Sequence, residues 1–376
     1  MGESRKVKKQ GNWFSRLLFW INIFFGISLA ISYLSEYINP NQFWIPAFFG
    51  LAYPFLCLTN FLFIVYWLIN RNWRFIFSLS IILIGYKELG RTVNLNFLKT
   101  KESICQGPSL KLMTYNVHSF KSLEFENNSF IRSQIMNIIR KENPDIIGFQ
   151  EFFTKSNGEF DNLDTLKKIL NNPYVFYHKV DSNKEESTGM ALFSKFPLKN
   201  LHALGFEKSL TVNGILEGDI ESPLGVIRFY CVHLQSIVFN SGDYAYLGRI
   251  KQKIKPELSS SKHIAGKLKI AFIKRADQAQ QVRNSILDCK IPVLVFGDFN
   301  DTPVSYSFRT ILGKMKSCFS EKGIGLGRTY NGIFPNFQID HILCDTLFQV
   351  NSYKIIEKKL SDHFPVTTEL CIRRKP

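Results

Sequence analysis

The sequence has no closely spaced cysteines and comparatively few acidic residues. Its seven cysteines are scattered, with no CxxC pair and no Cys/His cluster, which argues against a zinc site and against thioredoxin-like redox chemistry. Their odd number gives no sign of a disulfide framework. Lys and Arg total 47 against 31 for Asp and Glu, and the formal net charge is +16. This imbalance is typical of proteins that meet nucleic acid or anionic membrane surfaces, and of membrane proteins with basic cytoplasmic segments.

The chain begins with long apolar runs that contain few charges. The runs cover residues 13–38 and 43–69, and a shorter one covers residues 75–86. At ~1.5 Å per helical residue, the first two are long enough to cross a hydrocarbon core of ~30 Å. A cleaved signal peptide does not fit, because the first run is too long, lacks a small-residue cleavage site and is followed by a second run. We predict about three spans. The third run is short, and it crosses the membrane only if Trp73 and residues towards Leu89 are included in it.

Basic residues flank these runs and indicate their orientation. Arg5, Lys6, Lys8 and Lys9 precede the first run, and two arginines, at 71 and 74, separate the second from the third. Positive segments stay in the cytoplasm, so three spans place the remaining chain outside it, whereas two keep it inside. The scattered cysteines favour the inside, because oxidising compartments disfavour loose thiols. We favour three spans, which predicts an integral protein of a bacterial inner membrane with its remaining chain on the extracytoplasmic side.

Beyond residue 90 the sequence becomes typical of a globular protein. Residues 91–108 are polar and read as a linker between a transmembrane region, residues 1–90, and a globular domain, residues 109–376. In that domain, apolar runs of strand length alternate with segments of helical periodicity, and several links are of hairpin length. This pattern predicts a layered α/β architecture with a mixed sheet. The predicted strands cover residues 110–115, 145–149, 190–194, 226–232, 293–296, 339–344 and 366–370.

One stretch, Val293-Leu-Val-Phe-Gly297-Asp298-Phe-Asn300, has the clearest chemistry. An apolar strand ends in Gly297, and Asp298 and Asn300 follow at positions i and i+2, so both side chains face one spot. A carboxylate beside a neutral amide suits a site for phosphate and metal. Polar residues punctuate other predicted strands as well: Asn116, Glu151 and His233 follow strands, Asp340 lies inside an otherwise apolar strand, and Asp362 and His363 come just before the last one. In a layered fold such residues gather at one rim of the sheet, a common place for a site.

Six short motifs that contain these residues occur in order along residues 109–372. They are Thr114-Tyr-Asn116-Val, Gln150-Glu151, Val232-His233-Leu234, Gly297-Asp298-Phe-Asn300, Ile339-Asp340-His-Ile-Leu343 and Ser361-Asp362-His363-Phe-Pro-Val366. Together they resemble the motif series of the endonuclease/exonuclease/phosphatase (DNase I-like) superfamily, here in a membrane-anchored form. The resemblance implies a four-layered α/β sandwich, in which two mixed β-sheets pack face to face with helices outside. It also implies a metal-dependent hydrolase of phosphoesters.

The resemblance implies a metal site and a catalytic base. Glu151 is expected to be the main Mg²⁺ ligand, with Asn116 and Asp362 assisting, because a hard cation prefers carboxylate and amide oxygens. Mn²⁺ is expected to substitute for Mg²⁺. Asp298 is expected to orient and deprotonate the attacking water.

Further residues are expected to stabilise the charge that develops on the phosphate. By the same resemblance, Asn300 and His233 donate to the non-bridging oxygens. His363 also faces the phosphate, while Asp340 fixes its tautomer and favours its charged form. His341 is expected to pack rather than act, because neighbours on a strand face opposite sides. The family's phosphate-contacting Tyr or Arg has three candidates here: Arg249, Arg275 and Arg328.

The motifs do not define the substrate. We expect a phosphodiesterase or nuclease, with a membrane-associated phospholipid or inositol-phosphate headgroup hydrolase, of the sphingomyelinase or 5-phosphatase kind, as the alternative. The basic stretch between Arg249 and Arg283 could follow a nucleic-acid backbone or lie on anionic lipid headgroups. An inactive member that only binds lipid or nucleic acid is the alternative from a different class. No obligatory protein partner is inferred.

Overall fold

We describe the fold from a computed structural model of the chain. It describes residues 12–96, 107–121, 128–171, 174–183, 185–206, 212–251, 258–332 and 335–372. The basic residues before the first apolar run, and part of the basic stretch between Arg249 and Arg283, lie outside these ranges. Within them the helices are α1 (Asn12–Leu34), α2 (Ile45–Ile69), α3 (Phe75–Ile84), α4 (Tyr86–Thr92), α5 (Ser129–Glu142), α6 (Asn162–Leu170), α7 (Ser241–Lys251), α8 (Leu258–Asp288), α9 (Tyr306–Leu312) and α10 (Cys318–Lys322).

The described strands form two large sheets and one small one. The strands are β1 (Val93–Leu95), β2 (Ser109–Asn116), β3 (Ile146–Lys155), β4 (Tyr174–Ser182), β5 (Glu186–Ser194), β6 (Leu198–Gly205), β7 (Gly214–Ser222), β8 (Gly225–His233), β9 (Val293–Asp298), β10 (Lys316–Ser317), β11 (Ile324–Leu326), β12 (Asp340–Cys344), β13 (Phe348–Ile355) and β14 (Val366–Ile372). The six-stranded sheets have the orders β10-β12-β9-β8-β7-β6 and β13-β14-β2-β3-β5-β4. In each, the central pair is parallel and all other pairs are antiparallel. Both sheets are therefore mixed.

Successive side chains along the central strands point alternately to the two faces of their sheet, and both faces are covered by other layers. Leu112 and Leu294 point into the core between the two sheets, whereas their neighbours Met113 and Val295 point to the outer faces. The outer face of the β2–β3 sheet packs against α5 and α6, and that of the β8–β9 sheet against α8 and α9. This arrangement follows from the period of two in a strand with both faces buried. The four-layered α/β sandwich that the motifs implied is confirmed.

The structure also contains strands that the sequence did not predict. Three of them, β4, β6 and β13, lie at sheet edges, where most positions are half-buried or exposed and polar side chains are tolerated. Their mixed composition hides the strand signal that the buried central strands show. Another, β7, contains two glycines and three acidic residues between its apolar positions, which weakens its pattern in the same way.

Two helices among the described residues, 13–34 and 45–69, are long and apolar enough to cross a membrane. Their large apolar side chains point outwards rather than into a protein core; Trp20, for example, is 68% exposed. This composition and exposure are compatible with membrane anchoring. A buried network of hydrogen bonds joins the first three helices: Asn22 Nδ2 to Ser78 Oγ (2.6 Å), Ser78 Oγ to Asn60 Oδ1 (2.9 Å) and Trp67 Nε1 to Asn22 Oδ1 (3.0 Å). Polar groups inside an apolar bundle need such partners.

The third apolar run is extended by a short helix. α3 has only 10 residues, but α4 continues it after Gly85. Near the start of α3, Arg74 Nη1 donates to the Ser15 carbonyl at 3.0 Å. Near the end of α4, Arg91 Nη2 pairs with Glu36 at 2.5 Å. Residues 75–92 therefore return, antiparallel to α2, to the end of the bundle where α1 and α2 are connected.

That same end of the bundle packs directly on the sandwich. Ser35 Oγ donates to the Val304 carbonyl at 3.0 Å, and the rings of Phe48 and Phe272 meet edge to face at 5.2 Å. β1, which falls inside the segment expected to be a linker, pairs with β11 of the globular region. The helical bundle and the sandwich are thus joined by packing as well as by the chain.

Candidate active site

The strand register places three of the expected site residues in one row. His233 at the end of β8 lies beside Asp298 at the end of β9, and Asp340 at the start of β12 lies on the other side of Asp298. The row requires Gly297, whose φ is +140° and whose added Cβ would lie 2.0 Å from the Val232 carbonyl oxygen. Only glycine lets β9 approach β8 this closely with that backbone conformation. Asn116, at the end of β2, reaches the same row from the other sheet.

Asp298 is buried at the centre of this row. Its carboxylate accepts hydrogen bonds from Asn116 Nδ2 (3.0 Å), Asn300 Nδ2 (3.2 Å) and the Asn300 main-chain N–H (2.8 Å). Burial raises the pKa of Asp298, while the positive charge of His363 opposes the rise and the negative charge of Asp340 adds to it. A raised pKa makes the ionised carboxylate a better proton acceptor.

His363 is held between two carboxylates. Its Nδ1 lies 2.9 Å from Asp340 Oδ2, and its Nε2 lies 3.7 Å from Asp298 Oδ2. Thr329 Oγ1 accepts the Asp340 main-chain N–H at 2.9 Å and so fixes the position of this residue. Burial lowers the pKa of His363, but the charges of Asp340 and Asp298 outweigh it and raise the pKa well above its usual value. The ring is therefore an imidazolium at neutral pH.

His233 directs one ring nitrogen into the site. Its Nδ1 lies 2.7 Å from the Val212 carbonyl oxygen and must carry a proton to donate to it. Its Nε2 lies 3.5 Å from Asp298 Oδ2 and 3.8 Å from Glu151 Oε1. Within the described part of the chain, this buried Nε2 has no hydrogen-bond partner. It is therefore free to contact a bound substrate.

A β-bulge turns Glu151 towards the row. The β3–β5 register shifts between Phe149 and Phe152, and Glu151 has a left-handed φ of +52°. Such a bulge redirects one side chain and is common beside active sites. Glu151 Oε1 accepts from Asn116 Nδ2 at 3.3 Å, while 28% of the side chain stays exposed. The sequence predicted this residue at a strand end; it lies within a longer strand, at the bulge.

The expected ligands fit a hard divalent cation. Glu151 keeps an exposed carboxylate, and the Asn116 amide oxygen, which accepts the His118 main-chain N–H at 3.1 Å, retains a second lone pair. The Asp362 carboxylate accepts from Ser361 Oγ at 3.2 Å and also keeps lone pairs. Carboxylate and amide oxygens are the donors that Mg²⁺ and Mn²⁺ prefer.

A second group of ligand atoms lies close by. Oxygen and nitrogen atoms of Asp298, Asp340 and His363 are all within 4.8 Å of one another. Because His363 is protonated between the two carboxylates, this group already contains a cation of its own. The described side chains thus offer two candidate positions for a metal, this group and the ligands around Glu151.

Asn300 and Arg275 differ from what was expected of them. The Asn300 amide nitrogen donates to the Leu234 carbonyl (3.0 Å) as well as to Asp298, so a bond to phosphate would replace one of these. Arg275 is buried, donates to the Asn300 carbonyl oxygen and pairs with Asp301 at 3.4 Å. It supports the loop after β9 from behind, and as a phosphate-contacting candidate it does not fit.

The remaining candidates for a phosphate contact lie elsewhere. Arg249 is exposed and stacks on Tyr246 at 5.9 Å, and Arg328 is exposed on the segment before Thr329. Tyr244, which the sequence did not indicate, lies close enough to Asp362 and Glu151 for their charges to act on it. Burial raises the pKa of its phenol, and the negative charges of Asp362 and Glu151 raise it further. No sequence signal marked Tyr244, because it lies on α7 rather than at a strand end.

His341 packs behind the site, and we expect it to make stability depend on pH. Its Nε2 lies 2.9 Å from the Asp301 carbonyl oxygen, and its ring contacts Phe299 and Phe308. Burial lowers the pKa of His341 to about 4 from the ordinary value of 6.5. The unfolded chain then binds a proton that the folded one does not, so this stability is present above pH 6.5 and is lost as pH falls towards 4. Between pH 7 and 5 the loss is about 2 kcal/mol.

Thermal unfolding of the purified protein at pH 7 and pH 5 checks this expectation. His341→Gln keeps a nitrogen donor for the Asp301 carbonyl but cannot titrate. The fall in melting temperature between the two pH values should be smaller for this variant than for the wild type. An equal fall in both proteins would show that His341 does not contribute.

This fold, with such a row of residues at its rim, defines a phosphoesterase of the nuclease and phosphatase kind. Residues 113–363 match the model of the endonuclease/exonuclease/phosphatase family, and the chain belongs to that family. Its members are metal-dependent hydrolases of phosphoesters. Residues 15–92, which contain most of α1 and all of α2 to α4, match a second family model, described as a domain of unknown function (DUF8431). The comparison with curated proteins gives no match.

Several solved structures are similar to this chain at low sequence identity. The endonuclease/exonuclease/phosphatase protein of Beutenbergia cavernae is 16% identical, with a TM-score of 0.50 over 71% of this chain and 72% of that one. The catalytic domain of human Nocturnin, with bound sulfate, is 15% identical, with a TM-score of 0.48 over 72% of this chain and 97% of that one. TDP2 from Caenorhabditis elegans is 14% identical, with a TM-score of 0.47 over 71% and 98%. At these identities the likeness concerns the fold alone.

Proposed function

We propose that this protein is a Mg²⁺-dependent phosphodiesterase, anchored in a membrane, in which Asp298 activates the attacking water. The observation that carries the proposal is the row of His233, Asp298 and the Asp340–His363 pair. It places a buried carboxylate base between one histidine with an available nitrogen and one that is positively charged. A phosphate bound beside this row would meet a proton acceptor and two donors at once.

The metal and the base have separate tasks. Glu151, Asn116 and Asp362 would hold Mg²⁺, or Mn²⁺ in its place, which when bound offsets charge on the phosphate and on the leaving oxygen. Asp298 takes a proton from water, and the bonds from Asn116 and the Asn300 main chain fix the orientation of its carboxylate. The water oxygen forms a bond to phosphorus as the ester P–O bond breaks.

Both histidines act on the phosphate oxygens. The His363 imidazolium would donate from Nε2, because Asp340 holds Nδ1. His233 would donate from Nε2 in its protonated form, because Nδ1 is bound to the Val212 carbonyl. Donors fixed in a buried site stabilise developing negative charge without having to reorient.

The helical bundle supports an extracytoplasmic position for the sandwich. Arg71 and Arg74 lie at the end of the bundle away from the sandwich, and positive segments stay in the cytoplasm. Cys371 is disulfide-bonded, which fits an oxidising compartment, whereas the other five described cysteines are free thiols. The proposed division is a membrane region to residue 90, a connecting segment and a catalytic domain from residue 109.

Hydrolysis of chromogenic phosphoesters by the purified full-length protein in detergent tests this function. Bis(p-nitrophenyl) phosphate should be cleaved with Mg²⁺ or Mn²⁺, and cleavage should stop with chelator and return when metal is added. The matching monoester, p-nitrophenyl phosphate, should be cleaved more slowly. Preference for the monoester would instead indicate a phosphatase. Binding of lipid or nucleic acid without cleavage of any ester would support the inactive alternative.

A further inference from the structure

A cavity of about 980 Å³ lies between the helical bundle and the sandwich. We call it the membrane groove. One wall is α2, with Phe55, Leu58 and Phe61, and the opposite wall is formed by the loop after β9 and the segment before β12, including Pro303 and Phe337. A volume of this size is at the upper end of the range for ligand pockets.

The α2 wall of the membrane groove faces the region that lipid would occupy. Phe55, Leu58 and Phe61 are three residues apart along the helix and therefore share one side of it. They are 52%, 56% and 54% exposed, on a helix with the length and composition of a membrane span. Hydrocarbon chains of a bilayer are the natural neighbours of such a surface. The groove is therefore open to the apolar layer of the membrane.

The opposite wall is built from segments that adjoin the active-site residues in the sequence. Pro303 follows Asn300 by three residues, and Phe337, whose ring meets Phe55 edge to face at 6.1 Å, precedes Asp340 by three. Arg328 also lines the groove and immediately precedes Thr329, the residue that fixes Asp340. An exposed guanidinium at this position suits a phosphate group. The groove thus leads from lipid-facing side chains to the loops that carry the catalytic row.

Contacts near the groove indicate where the membrane surface lies. Trp44 stands just before α2, and the ammonium of Lys269 lies 4.8 Å from its ring. Trp residues that end a span, with basic residues nearby, mark the interface between lipid and water. The adjacent Ser35–Val304 bond brings the loop after β9 to the same level. The active site therefore opens near the lipid headgroups.

We infer that the membrane groove binds the hydrocarbon chain of the substrate, and that the substrate is a membrane lipid with a phosphoester headgroup. This inference rests on the proposed function and names its substrate class. The hydrocarbon chain lies against Phe55, Leu58 and Phe61, which keeps the apolar surface of both out of water. The phosphate then reaches Asp298 and His363 without leaving the membrane surface. A nucleic acid offers no apolar chain for this groove.

Two p-nitrophenyl diesters that differ only in chain length test the inference: p-nitrophenyl hexadecyl phosphate and p-nitrophenyl ethyl phosphate. The full-length protein is assayed in nanodiscs. Leu58→Trp fills the groove and should lower kcat/KM for the hexadecyl ester about tenfold, while that for the ethyl ester stays unchanged. Leu68→Trp is the matched control, because Leu68 is an exposed leucine of the same helix that does not line the groove. It should change neither value.

A second readout is independent of turnover. Cys57 is a free cysteine that lines the groove. Its labelling by an apolar maleimide, followed by peptide mass spectrometry, should be lost with hexadecyl phosphate and persist with ethyl phosphate. If Cys57 is protected although no ester is hydrolysed, the proposed function is wrong and the lipid site stands.

Three outcomes would overturn the inference while leaving a phosphodiesterase in place. One is equal kcat/KM for the two esters with Cys57 labelled throughout. Another is that hexadecanol, which lacks a phosphate, protects Cys57 as well as hexadecyl phosphate does, while the hexadecyl and ethyl esters are hydrolysed equally fast. That result would assign the groove to an ordinary bilayer lipid. The third is faster cleavage of a single-stranded oligonucleotide than of the hexadecyl ester.

Discussion

Asp298→Asn is expected to lower kcat for the diester by ~10³-fold, because it removes the general base and leaves its shape almost unchanged. The single asparagine oxygen can accept either the main-chain N–H of Asn300, which bonds to Oδ1, or the amide groups of Asn116 and Asn300, which bond to Oδ2. It has no charge to take a proton from water. The measurement is kcat for bis(p-nitrophenyl) phosphate at saturating metal, compared with the wild type.

The same substitution should leave the fold intact. Burial raises the pKa of Asp298, so the ionised carboxylate is unfavourable in the folded protein and a neutral amide is not. The melting temperature should therefore change little, because this gain offsets the hydrogen bonds that the amide nitrogen of asparagine cannot accept. Asp345→Asn, a change of the same kind just after β12, is the control and should keep full activity. A variant Asp298→Asn that retains wild-type kcat would assign the base to another residue.

The members of the row of His233, Asp298 and Asp340 could be predicted, because local rules place each of them at a strand end. The alternation of side chains in β9 places Asp298 and Asn300 on one side, and Gly297 marks the place where the strand comes close to its neighbour. His233 and Asp340 each border an apolar strand in the same way. A short sequence pattern contains all of this information. Which strands lie side by side was not predicted; the pairing of β9 with β8 and β12 is seen only in the structure.

Other parts of the site depend on contacts between residues far apart in the chain. The bulge that turns Glu151 forms against β5, and nothing within Gln150-Glu151 indicates it. The burial of Arg275 depends on the loop after β9. The packing of the bundle on the sandwich joins Ser35 to Val304 across most of the chain. Side-chain packing of this kind has no local sequence pattern, so the membrane groove could not be predicted from the sequence.

Glu151→Gln is expected to raise the Mg²⁺ concentration needed for half-maximal activity by at least roughly tenfold, since it replaces a charged oxygen ligand by a neutral one. At a metal concentration that half-saturates the wild type, the loss of kcat/KM should be correspondingly large. Added metal should restore part of it. The measurement is diester hydrolysis over a Mg²⁺ titration, repeated with Mn²⁺.

Two further variants, Glu186→Gln as a control and Asp340→Asn, show where the metal binds. Glu186→Gln alters a glutamate of the same sheet that pairs with Lys155 at 2.6 Å and should leave the metal dependence unchanged. Asp340→Asn should lower kcat with little effect on the Mg²⁺ requirement, because Asp340 acts through His363. If Asp340→Asn shifts the metal requirement and Glu151→Gln does not, the cation binds among Asp298, Asp340 and His363. His363 would then be a neutral ligand, and the donor of positive charge to the phosphate would have to be the metal itself.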